Sequence, residues 1–157
     1  MIVSTHFYIP IDGVADEVKL DLLARLNAPN EQYNMARPAI IFGPSYDASH
    51  QGADRHVPNH AELTLEFVTA KELERALERG DTGVLFIWAE ESVLEASDPT
   101  ARVISVDKAD EPGDPPVVEE LRAAIPAIAG VANGIDSGNI SFGELQDMAG
   151  EDGVFRW

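Results

Sequence analysis

The chain has 157 residues and a formal net charge of -17, from 28 Asp and Glu against 11 Lys and Arg. Such acidity disfavours binding to nucleic-acid phosphates or anionic membranes and favours basic partners, cations or a salty solvent. There is no cysteine, which excludes disulfides, thiolate metal sites, iron–sulfur clusters and a cysteine nucleophile.

The length suits a single domain over 1–157, large enough to bury a core. The 45% hydrophobic content argues against disorder. Residues 1–88 hold 13 acids and 7 bases, net -6, while residues 89–157 hold 15 acids and 4 bases, net -11. The N-terminus has no signal-peptide pattern, and no apolar run reaches the roughly 20 residues of a membrane helix. The expectation is a soluble cytoplasmic protein that binds neither nucleic acid nor membrane.

Residues 2–9 are β-branched and aromatic, which predicts a first strand, with Val3, Thr5, Phe7 and Ile9 on one face. Residues 15–26 carry acids first and Arg25 last, as a helix prefers, with a stripe of Val18, Leu22, Leu23 and Leu26. Asn27-Ala28-Pro29-Asn30 reads as its stop. Ala39–Phe42 is wholly apolar and predicts a short buried strand. The alternation over 62–67, with Leu63, Leu65 and Phe67 inward, predicts an antiparallel strand. Thr69-Ala70-Lys71-Glu72 reads as a capping box opening a helix to Arg79, with Ala70, Leu73, Ala76 and Leu77 inward and Gly80 as its C-cap. Val84–Trp88, apolar on both faces, predicts a central strand.

The order β-α-β-β-α-β is that of a ferredoxin-like, split βαβ fold: α+β, a mixed sheet with helices on one face. The remainder reads as an extension of that sheet or a subdomain, with a possible boundary near 89–100. Residues 102–106 predict a fifth strand, and 109–116 an acidic Pro/Gly linker. Residues 117–132 read as a helix in which Pro126 introduces a kink or a new start. Asn133–Asn139 reads as loop. Ser141-Phe142-Gly143-Glu144 is a second capping box, and the chain closes on Phe155 and Trp157.

Phosphate loops, dinucleotide fingerprints and Ser-nucleophile elbows are absent from the sequence. The expectation from charge is therefore a non-catalytic module, of the inhibitor or immunity type, that engages a basic protein and needs no cofactor. Its candidate contact residues are Glu90, Glu91, Glu95, Asp110, Glu111 and Asp114. The alternative is a small metal-dependent hydrolase. Its loop, residues 43–60, gathers three of the four histidines with two aspartates. His50, His56 and His60, with Asp47 or Asp54, would hold one divalent transition metal. The spacing is unhelpful, because Pro58 keeps His56 and His60 off a common helical face. His6, on the face opposite Phe7, reads as a structural or surface histidine. The sequence leaves the oligomeric state open.

Overall fold

The structure, a computed structural model, describes residues 5–11, 14–32, 40–43, 64–90, 93 and 97–156. Its strands form one six-stranded mixed sheet, and the fold is α+β. Three parallel strands come first: β1 (Thr5–Tyr8), β2 (Ile40–Phe42) and β3 (Gly83–Trp88). Two antiparallel strands follow, β4 (Thr100–Asp107) and β5 (Val117–Ala124). Short β6 (Val154–Phe155) pairs in parallel with the end of β5. The spatial order is β2-β1-β3-β4-β5-β6.

The helices among the described residues are α1 (Asp16–Gln32), α2 (Leu65–Glu78), α3 (Ile125–Asp136) and α4 (Phe142–Met148). They cover both sheet faces. On one, Leu22 and Leu26 of α1, Ile128 and Val131 of α3 and Phe142 and Leu145 of α4 pack on Phe7, Ile87, Val103 and Leu121. On the other, Val68 and Leu73 of α2 pack on Tyr8, Phe86, Trp88, Ile104 and Val106. β3 contributes to both layers, as its unbroken apolar sequence requires.

This order differs from the split βαβ arrangement, and one segment causes the difference. Within 62–67, residues 65–67 are helical. Thr64 is extended, and its hydroxyl accepts from Phe67 N at 3.1 Å, so the α2 N-cap lies five residues before the expected box. Thr69 is inside the helix and donates to the Leu65 carbonyl at 2.7 Å. Val68, Glu72 and Ala76 recur at helical spacing and are buried, whereas Phe67, Ala70 and Leu77 are exposed. With that strand replaced by helix, β1-α1-β2 and β2-α2-β3 become two parallel crossovers. Right-handed crossovers running in opposite directions from β2 place α1 and α2 on opposite faces.

The second difference lies at 117–132, where β5 and α3 replace one long helix. Val117 and Val118 favour extended backbone, and Leu121 and Ala123 point alternately into the core. Pro126 sits in the first turn of α3, where its missing N–H costs no hydrogen bond, so it starts a helix rather than kinking one. The acidic segment 109–116 is the loop of a β4–β5 hairpin closed by the Asp107–Val117 pair, not a linker. β3 pairs with β4 over all six of its residues, from Gly83 opposite Asp107 to Trp88 opposite Arg102. Ile41 is exposed at the sheet edge. α3 runs on to Asp136, through part of the expected loop.

α1 continues past the expected stop and contains Pro29. Its inward stripe is Lys19, Leu22 and Leu26, while Val18 is exposed. Asn27 does not end the helix; it anchors β2. Its Nδ2 donates to the Ile40 carbonyl at 2.8 Å, and its Oδ1 accepts from Ile40 N at 2.9 Å. The second capping box is present, with Ser141 Oγ accepting from Glu144 N at 3.2 Å. Phe155 folds back into the core, its side chain fully buried. Asn27→Ala removes both bonds to the edge strand. It is expected to lower unfolding free energy by about 1–3 kcal/mol in urea titration. Faster amide exchange at Ile40 would locate the loss.

Candidate functional site

Three charged features stand out, and each begins with sheet register. The first is the hairpin. From Asp110 to Glu120 every residue is exposed. That stretch holds Asp110, Glu111, Asp114, Glu119 and Glu120 and no base. β6 pairs with β5 only at Arg122 and Ala123, so β5 from Val117 to Glu119 has no strand on its outer side among the described residues. Val117 and Val118 are exposed there, 52% and 53%. Gln146 of α4 donates to the Glu120 carbonyl at 3.0 Å. The main-chain groups of Glu120 therefore point outward, as do those of Val118 two residues away.

The second feature is a four-residue charge cluster. Register sets Arg102 opposite Arg122 across β4 and β5. Like charges in that position repel. Glu90, just after β3, relieves the repulsion: it pairs with Arg102 and, at 2.8 Å, with Arg122. Glu120 also pairs with Arg102, at 3.0 Å. Partial burial alone would raise the Glu90 carboxyl's pKa. The Arg122 hydrogen bond and the two guanidinium charges outweigh that and hold it below the ordinary value. Glu90 is thus engaged within the molecule, while Asp110, Glu111 and Asp114 lie free of the core on the hairpin loop.

The third feature was missed by sequence reasoning. Glu72 of α2 is completely buried. Its Oε1 accepts from Tyr8 Oη at 2.6 Å and lies 2.5 Å from His6 Nδ1. Its Oε2 has no hydrogen-bond partner among the described residues. His6 and Tyr8 share the α2 face of β1, and β1 lies between β2 and β3. At the end of β2, Gly43 N donates to the Phe7 carbonyl at 3.0 Å. A side chain on Gly43 would collide with the Tyr8 ring, so glycine is required where the chain leaves the sheet. A carboxylate on Nδ1 orients an imidazole and leaves Nε2 as the free nitrogen, the arrangement used by oriented bases and metal-ligating histidines. The helix spacing of Val68, Glu72 and Ala76 was the available signal, but a glutamate in an apolar stripe reads as surface.

The remaining candidates, Glu91, Glu95, Asp47, His50, Asp54, His56 and His60, lie outside the described residues. Among the described residues, no group of three or more His, Asp or Glu could hold a metal ion, and no helix is long and apolar enough to cross a membrane.

Because the folded-state pKa of Glu90 is depressed, its contribution is present above its ordinary value of 4.5 and is lost as pH falls through the folded value. Glu90→Gln should cost roughly 1 kcal/mol at neutral pH. The gap from the parent protein should close as pH falls below the ordinary carboxylate range. Urea denaturation across that range checks both; a gap that widens in acid contradicts the assignment.

No curated protein and no solved structure matches the chain. Residues 30–157, from the end of α1 through β6, match the model of a family described as a domain of unknown function, DUF6924, and the chain belongs to that family.

Proposed function

We propose that the protein is a non-catalytic acidic binding module that engages a basic protein through the β4–β5 hairpin. The observation that carries this reading is the hairpin itself: eleven consecutive exposed residues, 110–120, with five carboxylates, no base and two exposed valines. Carboxylates projected on a two-stranded ribbon attract a basic surface from a distance and accelerate encounter. The valines add apolar contact once the charges have met. The open outer side of β5 offers main-chain groups to an extended segment of the partner. An inhibitor of a basic enzyme or toxin has this design, in which charge sets the rate of capture and contact sets its duration.

Replacing Asp110→Asn, Glu111→Gln and Asp114→Asn together removes three charges from a loop outside the core. Circular dichroism and the melting temperature should be unchanged. Capture of a basic partner from lysate at low salt should weaken by about tenfold, and capture by the parent protein should fade as salt rises. Capture that ignores both the substitutions and the salt rejects the reading.

A second reading, the small metal-dependent hydrolase, is favoured by one observation. Gly43, the last described residue before the histidine-bearing segment, lies against Tyr8, whose hydroxyl is bonded to buried Glu72. It requires a divalent transition metal in untagged protein. Elemental analysis after dialysis should find about one equivalent, reduced by His56→Ala. A metal-free protein removes this reading and leaves the first intact.

A further inference from the structure

Among the described residues, the outer side of β5 is covered at one end only. β6 pairs with it in parallel at Arg122 and Ala123, and Gln146 closes the Glu120 carbonyl at 3.0 Å. One step further along, the outward N–H and C=O of Val118 face no strand among the described residues. Pro115 and Pro116 bound this open stretch on the loop side, since neither has an N–H to give. The exposed residues between those limits include Val117 and Val118, whose β-branched side chains favour strand pairing. The edge is therefore short and bounded, but not blunted along its length.

The side chains give the edge a pattern. Leu121 and Ala123 belong to the layer under α1, α3 and α4, so Val117 and Glu119 share that face. Val118 and Glu120 lie opposite Val106 and Ile104 and share the α2 face. Each face of the edge thus shows a valine followed by a glutamate. Glu120 shares its carboxylate with Arg102 at 3.0 Å, whereas Glu119 is exposed opposite Ser105. A strand added here meets two apolar neighbours in succession and then two acidic ones. A second copy of the chain suits it poorly, because that copy brings five more carboxylates to the same edge.

We infer that the basic partner docks by adding an extended strand to this edge, and that the strand carries two adjacent apolar residues beside two adjacent basic ones. The apolar pair lies against Val117 and Val118, the basic pair against Glu119 and Glu120, and the main chain bonds to the outward groups of Val118. The inference rests on the reading of the hairpin as the surface for a basic protein and adds the form in which that protein binds. Charge complementarity selects the occupant, and the free main-chain groups hold it.

Titration of isotope-labelled protein with short synthetic peptides, followed by amide chemical shifts, tests it. Three peptides of one composition are compared: a valine pair before a lysine pair, a lysine pair before a valine pair, and the same residues strictly alternating. One paired order should bind about tenfold more tightly than the alternating peptide, with the Val118 amide among those that shift most. N-methylation of the preferred peptide on the side facing β5 keeps its charge and should cost about tenfold in affinity. Val118→Pro deletes the outward N–H, which makes no bond to β4, and should have a similar effect with the β3–β4 amide shifts unchanged. Equal binding by all three peptides, or binding indifferent to N-methylation, would mean diffuse attraction to an acidic surface. Either result overturns the inference and leaves the reading of a basic partner standing, since that reading is tested separately by the loop substitutions and salt. A dimer of the parent protein that Val118→Pro dissociates would also overturn it, by assigning the edge to a second copy.

Discussion

β3 is the constraint on which the rest of the structure depends. It pairs in parallel with β1 on one side and antiparallel with β4 on the other, so it joins a crossover half to a hairpin half. A strand in that position is covered on both faces and contains no polar side chain. Gly-Val-Leu-Phe-Ile-Trp satisfies this, and its alternate residues define the two interiors: Ile87 reaches the layer under α1, α3 and α4, while Phe86 and Trp88 reach the layer under α2. Once β3 is fixed, register fixes the rest. His6 and Tyr8 fall under α2, Arg102 meets Arg122, and Thr5, Leu85, Ser105 and Glu119 become neighbours though they are distant in sequence.

The acidity of the chain is met differently inside and outside that frame. Glu72, with no access to solvent, is held by a tyrosine hydroxyl and a histidine ring, since an uncompensated carboxylate there would be expensive. Glu90, partly covered, is held between two arginines that would otherwise repel each other. Arg156 ties the C-terminal strand down in the same way, between Asp98 at 2.8 Å and Asp152 at 3.0 Å. The scarce bases are therefore concentrated where acids approach the body of the protein. Arg102, Arg122, Arg156 and Arg79 all make ion pairs.

Elements with one dominant local signal are legible in the sequence. β3 is legible from continuous hydrophobicity, and α4 from Ser141 and Glu144 at capping-box spacing. Segments whose pattern fits two periods are not. Leu63, Leu65 and Phe67 alternate as in a strand, yet Leu65, Val68 and Glu72 also lie on one side of a helix, and Thr64 decides between them by capping it. Val117, Leu121, Ala124, Ile128 and Val131 fit a helical stripe by coincidence, because a strand ending at Ala124 runs straight into a helix beginning at Ile125. The acids of the hairpin loop are legible as charge but not as a hairpin. The burial of Glu72 is illegible for a stronger reason. It is created by partners far away in sequence, which no local pattern encodes.

The proposed function rests on the distribution of charge rather than on its total. A generic acidic surface, such as salt adaptation produces, spreads carboxylates over all exposed faces and needs no particular scaffold. Here the stretch from Asp110 to Glu120 contains no base, while residues 97–109 before it hold Arg102 and Lys108 and residues 121–156 after it hold Arg122 and Arg156. Five carboxylates within eleven residues repel one another, and at physiological salt the screening length of about 8 Å does not separate neighbours on a ribbon. Keeping them together therefore costs folding stability. The body of the protein gains nothing structural from those at the tip, since Asp110, Glu111 and Asp114 lie outside its core. Under the proposed function, a basic partner would offset that local electrostatic cost.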